Sequence, residues 1–113
     1  MSSFNKYPHV FSPIKIGGME VKNRMQFSPM VSSLSTPTGG VSPELLGYIK
    51  YQAQSGVGVI TIGSTPINHT NGVDFFGALD VTSDDNMTDL RRISEIVHRY
   101  GAKLSCELVH AGR

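Results

Sequence analysis

Val57-Gly58-Val59-Ile60-Thr61-Ile62-Gly63 is the stretch whose reading decides the fold. It is β-branched and almost wholly apolar, with no polar residue at every second position. A strand exposed on one face alternates; a strand covered on both faces, as in a parallel sheet, does not. Parallel neighbours need crossover segments, usually helices, and the flanks supply them. Upstream, Ser42 can cap a helix, Pro43 fits its first turn and Glu44 suits the positive end of its dipole. Leu45, Ile49 and Ala53 then share one face, with Leu46 beside them, and Gly56 is the stop.

Downstream, residues 64–82 read as a long connection with an Asn71-Gly72 turn and a Phe75-Phe76 pair. A second helix starts near Asp85, with Leu90, Ile93, Val97 and Tyr100 as its buried stripe and Gly101 as its end. Lys103 to Val109 is a third strand. At the N-terminal side, Ile14-Lys15-Ile16, Gly17-Gly18 and Met19-Glu20-Val21-Lys22 read as a β-hairpin. Met25 to Met30 reads as the first strand of the sheet, ended by Pro29, and residues 31–41 as a loop. The order hairpin, then β-α-β-α-β, is an α/β pattern with right-handed crossovers. It suits one edge of a doubly wound sheet or three-eighths of a (β/α)8 barrel, which typically needs about 250 residues. Three parallel strands alone leave open edges and one poorly covered face, so more of the barrel is expected to follow this chain.

The chain has 113 residues, 39% hydrophobic and 17% charged, with ten basic against nine acidic side chains. A formal charge of +1 gives no argument for nucleic acid, a membrane surface or a polyanionic partner. No apolar run approaches the roughly 20 residues that span a bilayer, and Met1 to Lys6 lacks the apolar core of a signal peptide. The single Cys106 cannot form an internal disulfide. These features lead us to expect a cytoplasmic protein.

In either architecture ligands lie at the C-terminal ends of the strands. Three clusters fall there: Ser28 to Ser33; Gly63 with Ser64 and Thr65; and Glu107 with His110, Gly112 and Arg113. Gly63 lets a flat ligand approach the backbone. Glu107 can accept a hydrogen bond from a ring N–H, and Arg113 can bind a phosphate or carboxylate bidentately. Period-two alternation puts Ser105 and Glu107 on one face of the third strand and Leu104, Cys106 and Leu108 on the other. A barrel would turn the first face to its lumen. Plainer roles stand beside these. A carboxylate at a strand end is often solvated or salt-bridged, and a histidine such as His110 often only bonds structurally. Cys106 reads as core packing. His9, His69 and His98 have no metal-ligand spacing, and His98 suits the negative end of its helix. Dinucleotide-binding glycine, P-loop, zinc and nucleophile-elbow motifs are absent.

The pattern resembles the NADH:flavin oxidoreductases of the old yellow enzyme group, including the 2,4-dienoyl-CoA reductases and bile-acid-type enoate reductases. Phe11 to Arg24, FSPIKIGGMEVKNR, is similar to the family's opening motif. Ser28-Pro29-Met30 is similar to its first strand end, Gly56-Val57-Gly58-Val59-Ile60 to its glycine-flanked second strand, and Leu108-Val109-His110-Ala111-Gly112-Arg113 to the end of its third. The resemblance covers about Phe11 to Arg113 and implies the first three β/α units of a TIM barrel, preceded by the hairpin. Residues 1–113 would be the N-terminal portion of one FMN-binding domain. It implies FMN at the barrel mouth, NADH or NADPH as electron donor, and a small-molecule acceptor such as an enone or enoyl thioester.

Carried onto this chain, the resemblance makes Pro29, Met30, Val31, Gly63 and Glu107 the cofactor-binding residues and His110 and Arg113 rim or substrate residues. Glu107 would face the flavin's pyrimidine ring. Two positions depart from the family pattern. The residue after Pro-Met is usually Thr or Cys and is Val31 here; the position of Glu107 is usually Gln. The catalytic residues are expected beyond Arg113, and the remainder of the barrel is required in cis or in trans. Two other classes stay open: a non-catalytic truncated half-barrel or one chain of a split barrel, and a small α/β module that uses the Glu107 rim for another ligand.

Overall fold

The computed structural model describes residues 6–112. A short helix α1 (Pro8–Phe11) leads into an antiparallel hairpin of β1 (Ile14–Ile16) and β2 (Met19–Val21), as the sequence predicts. Gly17 takes a φ of +57 at its turn, a conformation that a side chain disfavours. Next come β3 (Gln26–Phe27), α2 (Pro43–Gln54), β4 (Val59–Pro66), a 3-10 turn at Asp84–Asn86, α3 (Met87–Arg99) and β5 (Lys103–Val109). The last three strands form one parallel sheet in the order β3-β4-β5, so β4 is central.

The helices form where local chemistry allows them to start. Ser42 Oγ accepts from Leu45 N at 2.9 Å, and Pro43 opens α2 without needing a donor. Ser83 Oγ accepts from Asp85 N at 3.2 Å and starts the 3-10 turn that runs into α3. Leu45, Ile49 and Ala53 of α2 and Ile93 and Val97 of α3 are buried, and they enclose Ile60 of β4, which has no exposed surface. Both helices therefore cover one face of the sheet. Leu90 and Tyr100, expected in the buried stripe of α3, are half-buried and flank this core. Val57 and Ala102, at the entries to β4 and β5, complete it.

Two strand boundaries differ from expectation. The first strand has a two-residue ladder, and beyond it Met30 makes an isolated bridge to Gly63. β4 does not end at Gly63. It shifts register between Ile62 and Thr65 and continues to Pro66, with Ser64, Thr65 and Pro66 all buried. Packing against β5 holds this extra turn of strand, where local propensity alone reads a loop. No helix among the described residues is long and apolar enough to cross a membrane.

Candidate functional site

The face of the sheet opposite the helices carries the polar residues. Gln26, Val59 and Lys103 are register partners on it, and Thr61 and Ser105 follow two residues on. Gln26 Nε2 donates to Thr61 Oγ1 at 2.7 Å, and the Thr61 and Ser105 hydroxyls lie 2.6 Å apart. A polar ladder thus crosses all three strands. One step further toward the C-terminal ends, the same face reaches Gly63 and Glu107.

There the candidate residues from separate elements converge. A methyl group built on Gly63 would lie 2.8 Å from Glu107 Cβ, 3.0 Å from Pro29 Cβ and 3.1 Å from Glu107 Oε1. Only glycine fits between them. Met30 is tied to Gly63 by the bridge, and its side chain is 63% exposed beside this patch. Glu107 is exposed, and no described side chain bonds its carboxylate. Thr65 Oγ1 donates to Glu107 O at 2.6 Å, which fixes the backbone of β5 at the site. The donor set suits a flat heterocycle: a glycine floor, an apolar methionine and a free carboxylate able to accept a ring N–H. Those features fit a flavin ring.

Val31 is half-buried and, with Met30, Gly63 and Tyr48 of α2, borders a cavity of ≈ 40 Å³ at the strand ends. His110 is exposed; its Nδ1 accepts from Gly112 N at 3.1 Å, and its ring abuts Gly72, where a methyl group would meet His110 Cδ2 at 2.9 Å. Arg113 lies outside the described residues. Cys106 corrects its expected place in the core: it is exposed, with Thr65 Oγ1 2.8 Å from its sulfur. The reason is that Leu104, Cys106 and Leu108 lie on the edge strand of the helix-side face, where no further helix is packed among the described residues. With Ile62, Ile67, Val81 and Leu90 they line an open apolar groove of ≈ 650 Å³.

The long connection contributes side chains that spacing could not reveal. Ser64 Oγ donates to Asp74 Oδ2. Asp80 is buried and accepts from Thr82 N at 2.7 Å, Thr82 Oγ1 at 2.6 Å and, when His69 is protonated, pairs with His69 Nε2 at 3.5 Å. No group of three or more metal-ligating side chains gathers among the described residues.

Comparison with known proteins is consistent across sequence and structure. The NADH:flavin oxidoreductase / NADH oxidase family model matches residues 9–113. An NADH oxidase from Thermoanaerobacter brockii is 33% identical over 95% of this chain, and the match covers 16% of that protein. An NADPH dehydrogenase from Halalkalibacterium halodurans is 30% identical over 92% of this chain and 31% of its own length. The old yellow enzyme from Pichia sp. AKU4542 superposes with a TM-score of 0.83 and 25% identity, over 92% of this chain and 28% of that one. A 2-naphthoyl-CoA reductase superposes with a TM-score of 0.88 at 23% identity, over 95% of this chain and 17% of its own, a likeness of fold. The chain thus spans between about a sixth and a third of these relatives.

Proposed function

Since this chain belongs to the NADH:flavin oxidoreductase / NADH oxidase family, we propose that residues 1–113 are the N-terminal portion of an FMN-binding TIM-barrel oxidoreductase. The observation that carries this reading is the convergence of Pro29, Gly63 and Glu107 at the C-terminal ends of three parallel strands. In this reading Pro29, Met30, Val31, Gly63 and Glu107 hold the flavin. FMN, when bound, supplies the two-electron chemistry that connects NADH or NADPH to an activated alkene, an enone or enoyl thioester.

The residues of this chain bind and orient. Gly63 and Pro29 present a flat floor without a projecting side chain. Glu107 accepts a ring N–H and so sets the ring's rotation. As a carboxylate it also places negative charge where the usual glutamine would donate, which disfavours adding electrons to the ring. Val31 offers no hydrogen bond at the position where a Thr or Cys is usual. His110 and Arg113 are in this reading the rim or substrate residues, Arg113 lying outside the described residues.

The open edge of β5 and the apolar groove beside Leu104 and Leu108 support a need for further barrel segments, in cis or in trans. The catalytic groups belong to that remainder. The test uses the protein at the length its host makes. A yellow protein that releases FMN on heating and oxidises NADH or NADPH with an enone or enoyl thioester supports the reading. A colourless protein that takes up no FMN overturns it.

A further inference from the structure

Asp74 makes a contact that the reading above does not use. It sits in the connection after β4, and its Oδ2 accepts the Ser64 hydroxyl. Ser64 is buried and shares a peptide with Gly63, the floor of the proposed flavin site. The other carboxylate oxygen, Asp74 Oδ1, is buried with no hydrogen-bond partner among the described residues. Elsewhere the connection is tied to the loop before α2, by Ser33 Oγ to Phe76 O at 3.1 Å and by Asp80 N to Gly39 O at 2.8 Å, and to β5 and the segment beyond it, by Ile67 N to Val109 O at 3.0 Å and Ala111 N to Gly72 O at 3.1 Å. At Asp74 it is tied to β4 itself.

A buried acceptor with no donor opposes folding. The Ser64 bond is the one hydrogen bond of this carboxylate among the described residues, and what it restrains is the residue next to Gly63. Resting on the FMN reading of this site, we propose that Asp74 is a positioning residue: by holding Ser64 it keeps the Gly63 backbone set against Pro29 and Glu107 to receive the flavin ring.

The test is a double-mutant cycle on the native-length protein, stripped of FMN. It compares wild type, Ser64→Ala, Asp74→Ala, the double variant and Asp74→Asn. FMN affinity is read by flavin fluorescence quenching, ring setting by visible circular dichroism of the bound flavin, and stability by melting of the apoproteins. Each alanine variant is expected to weaken FMN about tenfold and to change the dichroism, because each removes one charge-assisted hydrogen bond. The double variant is expected to bind no worse than the weaker single, since both remove the same contact. Its apoprotein, freed of the orphaned oxygen, is expected to melt no lower than wild type. Asp74→Asn keeps an acceptor for Ser64 and is expected to bind within about threefold of wild type. If Asp74→Ala does not fold, Ser64→Ala and Asp74→Asn carry the comparison.

Alanine variants with wild-type affinity and dichroism overturn the proposal, as do losses that add in the double variant. If wild type itself takes up no FMN, the flavin reading has failed, and this inference with it. If wild type binds and the variants match it, only this inference has failed.

Discussion

Gly63 and Glu107, on neighbouring strands and 44 positions apart in the chain, approach so closely that a methyl group on the glycine would stand 2.8 Å from the glutamate Cβ. The two backbones are set by the β4–β5 ladder, so neither can easily withdraw. The register shift between Ile62 and Thr65 falls at this point and brings Thr65, rather than Ser64, into the ladder beside Leu108.

Gly63→Ala is expected to disturb the site more than the fold around it. Its added methyl meets Cβ atoms of both Glu107 and Pro29, which must shift with their strands. Overpacking of this kind typically costs about 1–3 kcal/mol. Urea denaturation should show a loss in that range, and flavin titration should show FMN affinity falling by about tenfold or more. A variant that binds FMN as wild type does would remove Gly63 from the proposed floor.

Glu107→Gln is expected to raise the flavin's midpoint potential. The change removes a negative charge facing the proposed ring and replaces it with a group that can both donate and accept. A difference of about 1.4 kcal/mol in a two-electron couple corresponds to about 30 mV, and a rise of that order or more is anticipated. Spectroelectrochemical titration measures it directly. An unchanged potential would mean that Glu107 does not face the flavin.

Ser42→Ala is expected to destabilise the protein by about 1 kcal/mol, as loss of a helix cap commonly does. Ser42 Oγ accepts from Leu45 N and also donates to Leu34 O, so the change loosens α2 and the preceding loop together. Chemical denaturation should show the loss, and Ser42→Thr should recover most of it.

Ile93→Ala is expected to cost about 2–5 kcal/mol, since the side chain has no exposed surface and packs in the layer between α3 and the sheet. The same substitution at the exposed Ile16 should change the denaturation midpoint far less, because little of that side chain's burial is lost.

Much of the architecture was legible in local chemistry. The Ser42-Pro43-Glu44 start, the 3.6-residue spacing of Leu45, Ile49 and Ala53, and the Gly17-Gly18 turn each act within a few residues, so they can be read without knowing what lies across the fold. The β-branched run at Val57 to Ile62 likewise announced a central strand, although among the described residues helices cover only one of its two faces. The same alternation placed Ser105 and Glu107 on one face, where they are found.

Other features depend on partners distant in the chain. β4 runs on to Pro66 because β5 pairs with it beyond the register shift, and no local signal at Thr65 shows that. Cys106 is exposed because burial depends on what packs against a strand, not on the residue's own apolar character. The Ser64–Asp74 bond joins a strand to a connection whose path only the folded chain sets. Sequence alone therefore determined which segments become helix or strand and which residues reach the strand ends, because those are properties of short windows. Tertiary structure decided which of them touch, because hydrogen bonds and close packing require atoms within a few ångströms, and only the assembled sheet brings Pro29, Gly63 and Glu107 that near.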